Sequence, residues 1–375
     1  MTEKSRRCFV CENPLDQTNV SDEHILLNSA GGRLRSRRII CKGCNGVFGR
    51  NADAELSRQL NHVSNILLIK RDRGKAAPTT AISTVSGMKY QINSDGRPSL
   101  IRPVIEEIRT ETQVNLSIQA RNRAELKKII DGYRRKYPTV DFDPILESAE
   151  YKELYIPEKL HHSLSIGGPL ANQSIAKTAV EFYLHKNLLP GFISSAIVLL
   201  KNGTGNTLVE CINPEHLPYQ QGEFDIRHAI YIRGNPVSKT LYAYVEYFSI
   251  FSFIVKLNTD YSGPQVSVDY SFDVLTRQVV DGDLKEVLPI DEVKSFRFSE
   301  TPNLEKMKEH MATVLITAHR RQEREYISTV VDSAFLEVMG RDFGSREGTS
   351  DEFGKILEIV NSKMIKYAIR RIKTD

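Results

Sequence analysis

Four cysteines stand in the first 44 residues as two Cys-x-x-Cys pairs, Cys8 with Cys11 and Cys41 with Cys44, separated by 29 residues. Four thiolates at that spacing are the ligand set of a structural zinc ion, Zn2+, held in a tetrahedron. A disulfide scaffold would be short and dense in cysteine, whereas this chain of 375 residues has only one more, Cys211, in an apolar run. Between the pairs lies Glu23-His24, and Asn45 follows the last cysteine directly. A histidine titrating near neutrality takes and returns a proton at working pH, as a general base must; the plainer role is a surface histidine beside a zinc knuckle. Asn45 stands where asparagine commonly serves as a helix N-cap. Arg33, Arg35, Arg37 and Arg38 precede the second pair with no acid among them, and positions 33, 35 and 37 would share one strand face. Such a stripe grips backbone phosphates without reading sequence, and an ordinary solvated basic loop is the alternative. Lys70, Arg71, Arg73 and Lys75 would extend the basic track.

The elements that must position these groups follow from hydrophobic period. Residues 23–27 and 37–41 read as short strands, with Gly31-Gly32 in their connection. Residues 45–71 have helical spacing, with Leu56, Leu60, Val63 and Leu67 on one face. A strand, loop, strand, helix unit of about 60 residues cannot hold itself by burial alone, so metal binding would contribute folding free energy directly.

Cys-x-x-Cys, Glu-His-Ile and Cys-x-x-Cys-Asn, in that order and followed by a helix, resemble the HNH endonucleases, in the zinc-clamped branch of the ββα-metal fold. The resemblance covers residues 5–60. It implies that His24 is the general base that deprotonates the attacking water. It also implies that Asn45 binds a catalytic divalent ion through its carbonyl oxygen and that Glu23 completes that site. Oxygen ligands of this kind suit Mg2+ or Mn2+. The middle asparagine of the family name falls here on Ser36, so the group that orients His24 must differ. Neighbouring strand residues face opposite ways, so Glu23 and His24 share a site only where the backbone bends. Asp53, early in the helix, is either a supporting acid or a solvated one.

Beyond the resemblance, the pattern predicts an α+β chain: an HNH nuclease domain with structural zinc over 1–75, a mixed α+β region with an antiparallel sheet over 76–300, and C-terminal helices over 301–375. Residues 76–120 alternate around a Ser94-Asp95-Gly96 turn, and residues 122–137 and 172–185 have helical composition. Residues 195–280 are strand-rich, and the aromatic stretch 241–256 reads as sheet core rather than a stacking platform for single strands. Thr301-Pro302 reads as a helix start, and a last helix runs from about residue 351.

Lys and Arg total 51 against 47 Asp and Glu, a net charge of +4, so affinity for nucleic acid must come from a local patch. No apolar run approaches the length of a bilayer span and the N-terminus does not read as a signal peptide, which predicts a soluble, cytoplasmic protein. Taken together, the pattern predicts an endonuclease that hydrolyses phosphodiester bonds in DNA, with RNA as the other substrate, serving restriction, phage defence or a mobile element. Two alternatives are a zinc-knuckle regulator that binds nucleic acid without cutting it, and an RNA-cutting effector activated by a ligand. Residues 76–375 would then choose substrate, form a homodimer or bind a regulatory ligand.

Overall fold

The thiolate pairs and a buried leucine face together set the first elements. A computed structural model describes residues 6–72, 74, 76–109, 114–150, 156, 159–222, 225–282, 284–297, 304–340 and 347–372. Strands β1 (Glu23–His24) and β2 (Arg35–Ser36) pair antiparallel, with Glu23 opposite Ser36 and His24 opposite Arg35. Both are shorter than the sequence suggests, and the second lies two residues earlier. The chain after His24 turns inward to bury Ile25, Leu26 and Leu27. A 3-10 turn (Asn28–Ala30) then ends at Gly31, whose φ of +89° favours glycine, and a Cβ on Gly32 would lie 2.2 Å from the Leu26 carbonyl oxygen. The expected single helix is two, α1 (Lys42–Arg50) and α2 (Ala52–Ile66), broken at Asn51 with φ −118° and ψ −87°. Leu56, Leu60, Val63 and Leu67 are buried as the spacing predicts.

Next come β3 (Thr79–Ser83), β4 (Lys89–Ile92), β5 (Pro98–Leu100), β6 (Val104–Arg109), β7 (Val114–Gln119), α3 (Arg123–Lys136), α4 (Asp143–Glu147) and β8 (Leu160–His161). After them run α5 (Pro169–His185), α6 (Ser194–Lys201), β9 (Val209–Ile212), β10 (Arg227–Asn235), β11 (Thr240–Tyr247), β12 (Phe251–Asn258), β13 (Val266–Asp273) and β14 (Gln278–Val279). Two helices close the chain, α7 (Leu304–Met339) and α8 (Ser350–Ile372). The protein is thus a mixed α+β fold with antiparallel sheets and C-terminal helices. No helix among the described residues is long and apolar enough to cross a membrane.

The chain divides into two compact units, one made of Met1–Ala77 and Leu164–Gln322, the other of Pro78–Ser163 and Glu323–Asp375. In the first, a six-stranded antiparallel sheet has the order β14-β13-β10-β11-β12-β9. Its central strands are covered on both faces: Ile230, Ile232, Ala243, Val245, Phe253 and Val255 join the main core, and Tyr231, Tyr242, Tyr244 and Ile254 join a second cluster. The aromatic stretch is therefore core, with Tyr242, Tyr244, Tyr247 and Phe253 fully buried. α5 packs between this sheet and α2, which buries it on nearly every side, polar residues included. His228 on β10 donates from Nε2 to the Ala30 carbonyl oxygen (2.8 Å) and accepts from the Phe248 N–H at Nδ1 (3.2 Å), tying the turn after β1 to the sheet. Arg321 and Gln322 donate to the Leu67 and Ile66 carbonyl oxygens, satisfying the C-terminal end of α2.

In the second unit a four-stranded antiparallel sheet has the order β5-β4-β3-β8, and β6 and β7 form a hairpin. The Asn122 side chain accepts the Glu125 N–H and Glu125 returns a bond to the Arg121 N–H, which fixes the start of α3. α8 meets the end of α7 through Ala334, Met339 and Ile356. The helix start expected at Thr301-Pro302 lies outside the described residues, as do Arg73 and Lys75 of the second basic cluster.

Candidate active site

Cys8 and Cys11 sit in the knuckle that precedes β1. Cys41 is the N-cap of α1, with its Sγ accepting the Cys44 N–H at 3.4 Å. All four Sγ atoms lie within 4.8 Å of one another, and Cys11 Sγ is 3.8 Å from Cys41 Sγ. Four sulfurs around one ion at about 2.3 Å have an S–S edge of roughly 3.8 Å, so the cysteines are positioned to bind a metal ion.

The pleat of β1 splits the remaining candidates between two faces. Glu23 and its partner Ser36 face inward, and both are buried. The Glu23 carboxylate receives the Lys177 ammonium at 2.5 Å; Lys177 also lies 3.0 Å from Asp53 and 3.6 Å from Glu181. Ser174 donates to the second Asp53 oxygen at 2.6 Å. Asn45 donates from Nδ2 to Ser21 Oγ at 2.8 Å, and its amide hydrogen-bonds Glu23 as well. Burial pushes the Glu23 pKa up, with Lys177 and Asn45 pulling against it. Burial also opposes the charge on Lys177, but three carboxylates outweigh it and hold the lysine charged. Burial lifts Glu181 well above its ordinary value, and neither of its oxygens finds a hydrogen-bond donor among the described residues. Asp53, read from sequence as a supporting or solvated acid, is buried and paired.

His24 and Arg35 face the other way. His24 Nε2 lies 3.1 Å from Asp72 Oδ2, and Arg33 and Arg35 each contact one oxygen of the same carboxylate. Arg277 approaches Asp72 to 4.0 Å, and Arg35 also reaches Asp22 at 2.8 Å. Burial and the Arg35 charge press the His24 pKa below its ordinary 6.5, with Asp72 opposing. Burial would raise Asp72, but hydrogen bonds from His24 and Arg35 and the charges of Arg33 and Arg35 hold it below its ordinary value. Arg37 is exposed, and Arg38 turns away to the C-terminal end of α5, donating to the His185 carbonyl oxygen and Asn187 Oδ1. The expected arginine stripe therefore reduces to Arg33 and Arg35, joined by Arg277 from the turn after β13.

The structure brings Glu23 and Asn45 together and places His24 on the opposite face with Arg33 and Arg35. Lys177, Glu181, Asp72 and Arg277 escaped sequence reasoning. Only Lys177 carried a local signal, a cation within the apolar run Ile175, Ala176, Ala179 and Val180.

Comparison with known families agrees with the motif: residues 8–61 match the family described as HNH endonuclease. Neither curated proteins nor solved structures give a match to the chain. The likeness to HNH endonucleases thus covers residues 8–61, at the N-terminal end of the chain.

Proposed function

We propose that the protein is a metal-dependent endonuclease that hydrolyses phosphodiester bonds, with DNA as its substrate. The observation that carries this reading is the HNH match over residues 8–61, whose histidine stands among guanidinium groups. Arg33, Arg35 and Arg277 would hold the scissile phosphate by charge and hydrogen bonding. His24, pressed toward its neutral form, would take the proton from the attacking water as the new P–O bond forms and the bond to the leaving oxygen breaks. The family resemblance implies products with a 5′-phosphate and a 3′-hydroxyl.

Of the two metals that the resemblance implies, one fits the residues present. Zinc suits the four sulfurs and would hold the knuckles to α1. Glu23 and Asn45 do not fit Mg2+ or Mn2+ as they stand: the Glu23 carboxylate is buried against the Lys177 ammonium at 2.5 Å, Asn45 Nδ2 is committed to Ser21, and this face of β1 is the one opposite His24. Restriction, defence against phage or mobile-element activity in the cytoplasm would employ such an enzyme, with a homodimer for a double-strand break.

A second reading, nucleic-acid binding without cleavage, draws support from the buried lock of Glu23 on Lys177. Incubating the full chain with supercoiled plasmid and Mg2+ separates the two. The wild type should nick or linearise the plasmid, and His24→Ala should be folded and inert. Equal cleavage by His24→Ala, or binding with no cleavage by either, would overturn the nuclease reading. Single-stranded and structured RNA run alongside would reveal an RNA-cutting effector.

A further inference from the structure

The HNH motif here lacks its middle asparagine, and the structure shows why Ser36 does not replace it. Ser36 pairs with Glu23 on the inner face of the β1–β2 ladder, and its hydroxyl accepts the Arg38 N–H at 3.3 Å. His24 is on the other face, so no side chain at position 36 of this ladder reaches it. What does reach it is a carboxylate 48 residues further on. Asp72 Oδ2 stands 3.1 Å from His24 Nε2, beyond the end of the matched segment at residue 61.

We infer that Asp72 is the positioning residue for His24, fixing the tautomer and ring orientation that proton abstraction requires. This rests on the nuclease reading. A neutral imidazole has one N–H and one lone pair, and an ionised carboxylate can only accept. Nε2 therefore carries the proton toward Asp72, and the lone pair falls on Nδ1, which has no hydrogen bond among the described residues. Nδ1 is the atom that takes the proton from water. The imidazolium so formed then faces a negative charge, which stabilises it as the P–O bond forms, and Asp72 itself gains no proton.

Asp72 can do this because it is held in turn. Its N–H donates to Asn28 Oδ1 at 3.1 Å, in the turn that follows β1. Arg33 and Arg35 brace its two oxygens from the loop and strand on either side. The same two arginines are the proposed phosphate grips, so one carboxylate sets both the base and the cations that flank it. Removing it should impair the chemical step far more than binding, since the loss of a negative charge beside the phosphate site favours a polyanion.

The test compares wild type, Asp72→Ala, Asp72→Asn, His24→Ala and the double variant His24→Ala/Asp72→Ala on a duplex substrate with Mg2+. Asp72→Ala should lower kcat about 100-fold, the range for misplacing a general base, with KM unchanged or reduced. The double variant should be no slower than His24→Ala, because the carboxylate acts only through the imidazole. Asp72→Asn keeps the size of the side chain and serves where Asp72→Ala fails to fold. A kcat that rises on removing Asp72 would mark the carboxylate as a plug in a phosphate site and overturn the inference, as would independent, additive losses in the double variant. An activity-free readout separates this from failure of the nuclease reading: long-range 1H–15N spectra of the histidine rings above about pH 8. Wild-type His24 should be the Nε2–H tautomer, and Asp72→Ala should lose that preference. An Nδ1–H tautomer in the wild type sinks the positioning role whether or not the protein cuts; an Nε2–H tautomer in a protein that cuts nothing sustains it and removes only the enzyme.

Discussion

Replacing the buried Lys177 is a perturbation whose cost can be worked from its contacts. Lys177→Met keeps side-chain length and helix propensity while deleting the cation that faces Glu23 at 2.5 Å and Asp53 at 3.0 Å. Side-chain exposures of 2 % for Lys177, 6 % for Glu23 and 12 % for Asp53 leave little water to replace the lost ammonium. Removing one partner of such a buried pair costs about 3–5 kcal/mol. A second route gives a similar size. A stranded carboxylate can escape by taking up a proton, and for Glu23, from its ordinary pKa of 4.5, that costs about 3.4 kcal/mol at pH 7. At pH 5 the same protonation costs about 0.7 kcal/mol. The folded variant then binds a proton that its unfolded chain does not, so its deficit against wild type shrinks as pH falls from 7 toward 4.5. Urea denaturation at pH 7 and pH 5 measures both quantities, and the pH 7 loss should appear as a fall of about 7–14 °C in melting temperature for a unit of this size. Adding Glu23→Gln should restore a large part of the loss at pH 7. A deficit below about 1 kcal/mol at pH 7, or one that stays constant down to pH 5, would show that the ammonium is not the counter-charge of a dry cluster.

Metal removal gives the next expectation. Cys44→Ser, or a strong chelator, should release one zinc per chain and unfold the N-terminal knuckles, since structural zinc contributes about 10 kcal/mol or more; retention of stoichiometric zinc by the variant, read with a colour-forming chelator, would refute the site. His228 predicts a pH dependence. Burial lowers it from 6.5 to about 4 and it folds neutral, so stability is complete above pH 6.5 and falls by about 3 kcal/mol as pH drops from 6.5 to 4. His228→Gln should flatten that slope in denaturant midpoints, and an unchanged slope would contradict the assignment. Arg35→Gln should weaken DNA binding by a similar factor for all sequences and lower the salt slope by about 1, as read by anisotropy across a salt series. A loss confined to one sequence would mean that Arg35 reads bases rather than holding phosphate.

What was legible in the sequence is what local spacing determines. The two cysteine pairs announce themselves because structural zinc takes its four sulfurs as two closely spaced pairs. The Leu56, Leu60, Val63 face was legible because a 3.6-residue period needs no partner to be seen. The aromatic strands were readable as core from composition, since few cations interleave them. Strand lengths were not, because the inward turn at Leu26 and Leu27 depends on what those residues pack against.

The polar side of α5 shows where such reading stops. Gln173, Ser174, Lys177, Thr178 and Glu181 recur at helical intervals, the pattern of a solvated face, and all five are buried. Ser174 and Lys177 are tolerated inside because α2 presents Asp53 and β1 presents Glu23 to the same volume, while Gln173 donates to the Leu200 carbonyl oxygen and Thr178 pairs with the Tyr247 hydroxyl. No window of sequence contains that match: Lys177 lies 154 positions from Glu23 and 124 from Asp53. Asp72 is the same case at 48 positions from His24. In both, a residue inside the HNH match has a charged partner that lies outside it. The motif therefore marks Glu23 and His24, while the charges and contacts around them are set by parts of the chain the motif does not include.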